Sequence, residues 1–394
     1  MTYTILVINV GSSSLKFSVF GIQGKRLNLI FKGGIEGIGT NPHFTAKDAQ
    51  GTVLTNRNWE SKIHGDGHGN ALKTLQEWLR KHQSGVSLRA VGHRVVHGGP
   101  EKSEPAIIDD TLLATLESIV PLMPLHLPHN LTAIRAVAQI HPKIPQVACF
   151  DTAFHNGHPK VVDCFGLPQE LYKNGVRRYG FHGISYEYIT RTLKKIAPSL
   201  AAGRIVVAHL GSGASMCAIK NGRSIDTTMG FSALDGLPMG TRCGSLDPGV
   251  LLYLIQEHGM APDTVEELLY QKSGLLGLSG ISNDLRDLLS SNQTAAKEAI
   301  DYFVYRVGKE LGSLTAALGG LDGLIFTAGI GENSNEIRKR VCEDAAWLGI
   351  ELDNVANEQN QVCISSRGTS PSVWIIPTDE EHMIALHTLN CLES

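Results

Sequence analysis

Features that mark several common protein classes are missing from this sequence of 394 residues. It has no long basic run and a formal net charge of −3 at pH 7, which argues against a nucleic-acid-binding or membrane-surface protein. Its seven cysteines are scattered without a C-x-x-C pair, so neither a disulfide framework nor a zinc site is indicated. The first apolar run stops at Val10, too short for a signal peptide or a membrane span, and we expect a cytoplasmic protein.

Two common phosphate-binding fingerprints are also absent. There is no G-x-x-x-x-G-K-[ST] P-loop, and Gly329-x-Gly331 lacks the third glycine of a dinucleotide-binding motif. Glycine itself is abundant, with 42 residues, or roughly 11% of the chain, against an average of about 7%. No collagen-like period or low-complexity tract accounts for this excess, so we attribute it to turns or to backbone contacts with a ligand.

Strand-like and helix-like segments alternate along the chain, which predicts an α/β fold. Short β-branched runs predict strands at residues 5–10, 15–20, 205–208 and 216–219. Asn221-Gly222 predicts a tight hairpin turn. Apolar spacing predicts helices at 295–318 and 335–348, with a tight turn at Gly329-Ile-Gly331 before the second.

One internal repeat is visible, at an offset of 200 residues. Residues 5–12 and 205–212 each form a β-branched run that contains one polar residue and ends in Gly-Ser. Two copies of a strand–turn–strand hairpin predict two similar domains with a boundary near residue 150. A cleft between two domains is a favoured place for a ligand.

Three turns rich in glycine and serine follow predicted strands, at residues 11–14, 211–215 and 329–333. Backbone N–H groups in such turns can converge on phosphate oxygens, although ordinary hairpin and strand–helix turns have the same composition. Lys16, two residues beyond the first turn, is either a group that neutralises a phosphate or a solvated strand residue.

Two arginines and a histidine stand in unusual surroundings. Arg94 lies in a β-branched run closed by Gly98-Gly99, so its guanidinium needs either an internal carboxylate partner or an anionic ligand. Arg242 is flanked by glycines, as a ligand contact or a solvated loop residue would be. His182, between aromatic residues and glycines, is either a structural histidine or a catalytic one.

Several carboxylates complete this set of chemical groups. Asp151 follows a short apolar stretch and so lies at a strand end, where the ligand sites of open sheets gather. Asp284 resembles an ordinary helix N-cap. Thr378 and Glu381 have the spacing of a capping box, which leaves Glu380 available as a metal or water ligand. Glycine-rich turns, arginines, a histidine and carboxylates are what phosphoryl transfer requires.

Taken in chain order, these motifs resemble the acetate kinase family. The matching stretches run from residue 9 to residue 381: Asn9–Phe17, Gly92–Gly99, Phe150–His155, Arg178–Gly183, His209–Ser215, Asp226–Gly230, Gly240–Arg242, Phe326–Ser334 and Pro377–Glu381. The resemblance implies an α/β fold of two duplicated ribonuclease-H-like (actin-type) domains with a nucleotide cleft between them. One domain would comprise residues 1–150 plus 382–394, and the other, which binds the nucleotide, residues 151–381.

The same resemblance implies a reaction and the residues that carry it. The reaction is reversible transfer of the γ-phosphoryl group of ATP to acetate by direct in-line displacement, giving acetyl phosphate and ADP, with Mg²⁺ or Mn²⁺. Asp151, His182 and Arg242 would be catalytic, and Asn9 and Glu380 would hold the metal. Acetate would contact Arg94, Val96, Leu125 and Phe181. The nucleotide would contact Lys16, His209, Leu210, Gly211, Ser212, Gly213, Asp284, Leu285, Arg286, Gly329, Ile330, Gly331, Glu332 and Asn333. The family tends to form homodimers.

Five positions depart from the pattern of the family. Ser212 replaces Asn, Tyr186 replaces His, Ser245 replaces Asp, Asp379 replaces Asn and Ala233 replaces Pro. Ala233 lies in a stretch that the resemblance places at the acyl pocket. A smaller side chain there could admit one more methylene group, which leaves the choice between acetate and propionate open.

Three alternatives remain at this stage. The first is a propionate or butyrate kinase of the same family, and the second is a sugar or glycerol kinase, which needs a general base. The third is a nucleotide-gated binding module of the actin or chaperone type, in which the arginines and His182 would be idle.

For a carboxylate acceptor, already ionised at neutral pH, no base is needed, so we expect Asp151 to orient Arg94, Arg242 or a metal-bound water.

Overall fold

The computed structural model describes residues 2–11, 13–58, 67–82, 86–100 and 102–393. The chain divides into two compact units, which we call unit 1 (Met1–Ala153 with Asp379–Ser394) and unit 2 (Phe154–Thr378). At both junctions the unit bounds lie three residues from the domain bounds expected from the sequence. Asp151 therefore lies in unit 1, whereas the expected boundary placed it in the second domain.

Unit 1 is built on a mixed sheet that has eight strands within the described residues, in the order β5-β4-β3-β2-β1-β6-β8-β7. The strands are β1 (Thr2–Val10), β2 (Ser14–Gln23), β3 (Arg26–Glu36), β4 (His43–Asp48), β5 (Val53–Asn58), β6 (Val86–Val95), β7 (Ala106–Ile107) and β8 (Gln146–Phe150). The first five strands form an antiparallel meander, whereas β6 runs parallel to β1 and β8 parallel to β6. The carboxyl ends of β1, β6 and β8 therefore lie at one edge of the sheet.

Helices pack against this sheet. They are α1 (Gly67–His82), α2 (Asp110–Ser118), α3 (Leu127–Ile140) and α16 (Glu380–Glu393), with a 3-10 turn at Val120–Leu122. Leu72, Leu75 and Leu79 form an apolar stripe at helical spacing along α1, and this stripe is buried. Trp78 of α1 lies edge-on to the rings of Phe17 and Phe44, 5.8 Å from each, so the core is centred on aromatic residues.

The last helix approaches β6 closely because of Gly92. A Cβ atom at this position would lie 2.2 Å from the hydroxyl oxygen of Thr388 and 2.8 Å from a methyl carbon of Ile384. Only glycine lets the backbone of β6 and helix α16 come this near. This contact places the first residue of the helix, Glu380, near the end of β6.

Unit 2 is built on a second mixed sheet, with the order β11-β10-β9-β12-β13 among the described residues. Its strands are β9 (Arg204–Leu210), β10 (Ala214–Lys220), β11 (Arg223–Thr227), β12 (Gly323–Thr327) and β13 (Ser372–Ile375). The helices are α4 (Lys160–Asp163), α5 (Gln169–Lys173), α6 (Gly183–Ile196), α7 (Pro198–Ala201), α8 (Pro248–Gln256), α9 (Pro262–Gln271), α10 (Gly274–Ser279), α11 (Leu285–Ser290), α12 (Thr294–Leu318), α13 (Ala328–Asn333), α14 (Asn335–Asp344) and α15 (Asn354–Glu358), with a 3-10 turn at Ala346–Leu348.

The internal repeat predicted from the sequence is confirmed. In each unit a strand–turn–strand hairpin is joined by a third antiparallel strand on one side and by two parallel strands on the other. The order β3-β2-β1-β6-β8 of unit 1 thus has the same pattern as β11-β10-β9-β12-β13 of unit 2. The turn at Asn221-Gly222 is confirmed as well, since both residues have the positive φ angles (52° and 75°) that this turn requires.

Three local predictions are wrong. Gly329-Ile-Gly331 is not a tight turn but the first part of helix α13, which starts at Ala328 with a φ of 63°. The helix predicted at 335–348 ends at Asp344 and continues as a 3-10 turn. The capping box of Thr378 and Glu381 does not form, because the carboxylate of Asp379 accepts the N–H of His382 in its place. None of the helices in the described part of the chain has the length and apolar character needed to cross a membrane.

Candidate active site

A cluster of one arginine and two carboxylates lies at the strand ends of unit 1. Arg94 is at the end of β6, and its Nη2 donates to Oδ2 of Asp151 at 2.5 Å. Glu380, the first residue of α16, has Oε2 3.8 Å from Nε of Arg94. Because β6 and β8 are neighbouring parallel strands, the residue at the end of one meets the residue after the other. Of the two alternatives for Arg94, an internal carboxylate partner is therefore what the structure contains.

This pairing still leaves the guanidinium with donor capacity. Asp151 is 1% exposed and the Arg94 side chain 17% exposed, so the ion pair is largely shielded from water. The Nε of Arg94 makes no hydrogen bond to any described residue. A guanidinium carries five N–H donors, and one carboxylate oxygen engages only part of them. Arg94 can accordingly bind an anion in addition to Asp151.

Charges in this cluster shift the pKa values of its members. Burial alone would lower the pKa of Arg94, but the carboxylates of Asp151 and Glu380 raise it above its ordinary value, and Arg94 is permanently charged. The pKa of Glu380 is raised to about 7, mainly by burial and also by the charge of Asp151, against the opposing effect of Arg94. The cluster thus holds one fixed cation between two carboxylates, and one of them, Glu380, binds its proton more tightly than an ordinary glutamate does.

The first glycine-rich turn connects β1 and β2 beside this cluster. Asn9 pairs with Lys16 across the two strands, and Lys16 is exposed. The positive charge of Lys16 acts on Glu380, whose pKa it lowers, so the two side chains are within electrostatic reach. The Gly11 N–H donates to the carbonyl of Ser14 at 2.9 Å, and Ser12 lies outside the described residues.

Unit 2 contains a cavity of about 670 Å³ where a nucleotide was predicted. Eight of the fourteen predicted nucleotide contacts line it: Gly211, Ser212, Asp284, Leu285, Arg286, Gly329, Ile330 and Asn333. Seven further residues that sequence reasoning did not select complete the lining: Gly240, Leu275, Asn283, Leu289, Ser334, Asn335 and Glu336. A volume of this size is typical of small-molecule sites, which span about 300–1,000 Å³.

Asp284 and Arg286, at the N-terminal end of helix α11, form part of this lining. Asp284 is the N-cap of α11, as predicted, and its carboxylate accepts the N–H of Arg286. The same carboxylate pairs with the Arg286 guanidinium at 2.5 Å, and the hydrogen bonds from Arg286 lower the pKa of Asp284. The Arg286 side chain is 88% exposed, which leaves it accessible to a ligand in the cavity.

The other residues of unit 2 that were predicted to contact the nucleotide do not line the cavity, and they contact other parts of the protein. Glu332 accepts the backbone N–H groups of Ala328 and Thr378, at 2.8 Å and 3.1 Å, and so joins helix α13 to the chain after β13. Leu210 is fully buried, and His209 and Gly331 are also buried. Gly213 borders His182, because a Cβ there would lie 3.4 Å from its Nε2. These residues support the cavity from outside its lining.

His182 belongs to a compact polar cluster in unit 2. It stands at the N-terminus of α6 with a φ of 58°, a left-handed conformation that is uncommon for any residue but glycine. Its Nδ1 lies 2.8 Å from Oγ of Ser215, which also forms a hydrogen bond with the Tyr186 hydroxyl. The His182 ring stacks on that of His209 with 4.2 Å between centroids and an interplanar angle of 18°. His182 is therefore held on two sides.

Arg242 lies in a loop that is rich in glycine. Its Nη1 donates to the carbonyl oxygen of Ala233 at 3.2 Å, and the side chain is half-buried. Among the departures from the family pattern, Ser245 donates to the carboxylate of Asp235 at 2.7 Å and so belongs to the support of this loop. Arg242 is thus partly shielded from water, whereas one of the two alternatives for it was a solvated loop residue.

The residues predicted to contact the acyl group lie in both units. In unit 1, Val96 is buried and donates its N–H to the amide oxygen of Asn130, while Leu125 is half-buried. In unit 2, Phe181 is buried and its carbonyl lies 3.0 Å from Nε2 of His155. Ala233 is buried as well. Val96 lies close to Arg94 in the sequence, and Phe181 directly precedes His182.

Comparison with known proteins decides to which protein family the chain belongs. The profile of the acetokinase family matches residues 4–386. The chain belongs to this family. The acetate kinase of Nitrobacter hamburgensis is 53% identical to it over 390 residues, which cover 99% of this chain and 96% of the relative.

Solved structures support the family assignment at the level of the fold. The crystal structure of Porphyromonas gingivalis acetate kinase has a TM-score of 0.87 at 37% identity and covers 99% of this chain and 100% of that one. A propionate kinase from Francisella tularensis has a TM-score of 0.90 at 36% identity and covers 98% and 99% of the two chains. The two sheets are thus those of the duplicated actin-like fold of the acetokinases.

Membership in the acetokinase family makes this protein a kinase whose phosphoryl acceptor is a carboxyl group. This conclusion rules out the sugar kinase and the nucleotide-gated binding module as descriptions of the whole protein. The acetokinase motifs located both clusters, but they did not reveal Ser215 and Tyr186 as partners of His182. Ser215 ends one of the matching motifs, but the motif does not say which groups its hydroxyl contacts, and only the fold shows them.

Proposed function

We propose that the protein catalyses reversible transfer of the γ-phosphoryl group of ATP to acetate by in-line displacement, giving acetyl phosphate and ADP. The observation that carries this proposal is the largely buried Arg94 between Asp151 and Glu380. A guanidinium binds carboxylates through parallel hydrogen bonds, and here part of its donor set is available. Acetate bound to Arg94 is held as an anion and needs no general base, since carboxylic acids ionise near pH 4.

The obstacle in this reaction is the repulsion between an anionic acceptor and an anionic phosphate. Arg94 offsets the charge of the acceptor, and His182 and Arg242 of unit 2 are proposed to stabilise the transferred group. Asp151 acts by orienting Arg94, a role supported by the 2.5 Å contact and by its burial. We assign Asp151 no proton transfer, because the acceptor has no proton to lose.

The metal of the proposed reaction is Mg²⁺, with Mn²⁺ as a substitute, and the residues of unit 1 fit it. Asn9 and Glu380 offer amide and carboxylate oxygens, which are the ligands that Mg²⁺ prefers. The described residues contain no group of three or more His, Cys, Asp or Glu side chains arranged to hold a metal. Mg²⁺ commonly binds through one or two carboxylates together with water and substrate phosphates, so such a group is not required. Bound there, the ion would neutralise charge on the phosphate oxygens.

The nucleotide is proposed to occupy the cavity of unit 2. The lining brings the backbone of Gly211, Gly240 and Gly329 together with the first turn of α14. Glycines allow the backbone to approach a ligand closely, and the first turn of a helix presents N–H groups suited to phosphate oxygens. Arg286 supplies an exposed positive charge at the same cavity.

One experiment tests the reaction and the role of Arg94 together. Purified protein is incubated with ATP, Mg²⁺ and acetate, and acetyl phosphate is trapped as the hydroxamate. We expect product with the wild type, and in Arg94→Ala a rise in the KM for acetate of roughly 10- to 100-fold, the loss typical of a charged hydrogen bond. The KM for ATP should change little.

Arg204→Ala is the matched control for that variant. Arg204 is an arginine of unit 2 that pairs with Asp322 at 2.6 Å on the surface, and its loss should leave both KM values unchanged. The absence of product with every short-chain acid would refute the proposed reaction. An unchanged KM for acetate in Arg94→Ala would refute only the assignment of Arg94.

Propionate kinase activity is the second candidate, and Ala233 is the observation that favours it. This small buried residue accepts a hydrogen bond from Arg242 at its carbonyl, and the Francisella tularensis relative of similar fold is a propionate kinase. We expect Ala233→Val to lower kcat/KM for propionate about tenfold more than for acetate, since one methylene group is worth about 1–3 kcal/mol in a fitted pocket. Steady-state kinetics with both acids decide the substrate, and equal losses for both would remove Ala233 from the pocket.

We also propose that the protein is a cytoplasmic homodimer. Helix α8 has the sequence PGVLLYLIQ, and none of its nine residues, all of which the structure describes, is buried. Leu252 and Tyr253 are more than half exposed, an unusual apolar surface for a single chain. A second copy of the chain is the occupant we propose, because a twofold dimer can bury the same apolar face of both copies. Light scattering with Leu252→Lys tests this, and an unchanged mass would count against it.

A further inference from the structure

Ser215 connects two residues of helix α6 that lie one turn apart. Its hydroxyl oxygen is 2.8 Å from Nδ1 of His182 and forms a hydrogen bond with the hydroxyl of Tyr186. Ser215 and Tyr186 are both fully buried. The three groups thus form a short row, from the buried Tyr186 and Ser215 to the half-buried His182. Tyr186 is also one of the departures from the family pattern, which has histidine there.

The chemistry of the three groups indicates which of them donates each hydrogen bond in the row. A phenol, with an ordinary pKa of about 10, is a stronger donor than an aliphatic hydroxyl, so Tyr186 donates to Ser215. Ser215 has one proton, which is then available only to Nδ1 of His182. A neutral imidazole that accepts at Nδ1 carries its own proton on Nε2.

The other ring nitrogen of His182 lies toward the glycine-rich turn of unit 2. A Cβ atom at Gly213 would be 3.4 Å from Nε2, so this nitrogen lies beside the backbone between β9 and β10. The orientation of the ring is maintained by stacking on His209, whose Nδ1 is 2.9 Å from Oγ of Ser185. A proton on Nε2 would be a donor next to the turn where phosphate oxygens are proposed to bind.

We propose that Tyr186 acts through Ser215 as a positioning residue that holds His182 in the tautomer protonated at Nε2. His182 then presents an N–H donor toward the turn at Gly213, where negative charge accumulates during transfer. This inference rests on the proposed role of His182 in phosphoryl transfer. In this chain the phenol of Tyr186 supplies the proton that sets the direction of the row.

The tautomer is measured directly by long-range ¹H–¹⁵N NMR on protein labelled with ¹⁵N-histidine. Spectra are recorded well above pH 6.5, the ordinary pKa of histidine. The signals of His182 are identified by their loss in His182→Gln. We expect Nε2 protonated in the wild type and a shift toward the Nδ1-protonated form in Tyr186→Phe and Ser215→Ala. A wild type protonated at Nδ1, or a tautomer unchanged in both variants, would overturn the inference.

Kinetics provide the second readout. We expect Tyr186→Phe to lower kcat roughly tenfold with unchanged KM for ATP and acetate, because the donor acts on the transferred group rather than on substrate binding. Tyr179→Phe is the matched control, since its hydroxyl bonds the carbonyl of Gly175 at 2.8 Å and its loss should leave the tautomer and kcat unchanged. Thermal melting of every variant excludes unfolding as the cause, and a loss of kcat with no change of tautomer would contradict the proposal.

His182→Gln separates the inference from the proposed function on which it rests. If this variant keeps full activity, the catalytic assignment of His182 fails, whatever its tautomer. If it is inactive and the tautomer in Tyr186→Phe does not move, the function stands and the role of Tyr186 falls.

Discussion

The two units share a strand order but carry different chemistry at the ends of their strands. In unit 1 the ends of β6 and β8 and the start of α16 hold Arg94, Asp151 and Glu380, all of them charged. In unit 2 the ends of β9 and β12 lead into glycine-rich backbone and a cavity of about 670 Å³. One topology thus supports a charged cluster suited to a small anion and an open cavity suited to a large one.

Burial explains why the Arg94–Asp151 pair of unit 1 and the Arg204–Asp322 pair of unit 2 differ in importance. The pair of Arg94 and Asp151 is largely inside the protein, whereas in unit 2 both Arg204 and Asp322 are about one-third exposed. Exposed pairs contribute little because water and salt screen them, but removal of one partner from a buried pair leaves a charge without compensation. The comparison predicts a large effect when the Arg94–Asp151 pair is broken and a small one when the Arg204–Asp322 pair is broken.

The largest expected effect is that of Asp151→Asn. The variant keeps the shape of the side chain and removes the charge that orients Arg94, and we expect kcat/KM for acetate to fall ~100-fold, or about 2.7 kcal/mol. Asp322→Asn is the control in unit 2 and should keep activity within twofold. The hydroxamate assay measures both. Near-normal turnover in Asp151→Asn would remove it from the catalytic residues and break the contrast between the units.

A smaller effect is expected from Gly92→Ala, which tests how unit 1 positions Glu380. The added Cβ would lie 2.2 Å from Oγ1 of Thr388, so strand β6 and helix α16 must separate. We expect a loss of about 1–3 kcal/mol in the free energy of unfolding, measured with urea. Adding Thr388→Ala should restore part of this loss, because it removes the colliding atom.

Gly166→Ala serves as the control for that measurement. Gly166 is exposed in unit 2, and an added Cβ there meets no described atom within 4 Å. Its free energy of unfolding should match that of the wild type. Equal stabilities of Gly92→Ala and Gly166→Ala would show that the close approach of α16 is not required.

The smallest effect concerns pH and His93 of unit 1. Burial lowers the pKa of His93 to about 4, although its hydrogen bond to Gln146 at 2.7 Å opposes the shift. Below about pH 6.5 the unfolded chain binds a proton that the folded chain does not, so stability falls as pH decreases toward 4. Between pH 7 and 5.5 this amounts to about 1 kcal/mol.

Urea unfolding at several pH values measures this contribution. In His93→Gln the decline between pH 7 and 5.5 should be shallower by that amount. The corresponding parallel strand of unit 2, β12, has the apolar sequence GLIFT and contributes no such group. An identical pH dependence in variant and wild type would mean that His93 is not the source.

Local pattern was enough for much of the fold. The strands at the two hairpins, the long helix ending at Leu318 and the turn at Asn221-Gly222 all depend on residues close together in sequence, and they were predicted. The predicted capping box of Thr378 and Glu381 was wrong because other residues, some of them distant in sequence, form the hydrogen bonds that it required. Asp379 caps α16, and the hydroxyl of Thr378 lies 2.8 Å from that of Ser185, a residue far away in the chain.

The candidate site shows the same division. Motif residues such as Arg94, Asp284 and Gly329 could be selected because charge and glycine stand out against their neighbours. The lining residues Leu275 and Leu289 could not, because an apolar residue in a helix is ordinary until its surroundings are known. Ser215 lies in one of the motifs, but its link to His182 and Tyr186 followed only from its contacts.

By itself, the sequence determined the α/β class, the repeated hairpin and the positions of the glycine-rich turns, since these follow from residue preferences over a few neighbouring positions. It also determined the family, through motifs spread along most of the chain. Only the tertiary structure decided that Asp151 is the partner of Arg94, that Glu332 supports α13 and that Ser215 joins Tyr186 to His182. These pairings depend on how closely strands and helices pack, and packing is a property of the whole folded unit.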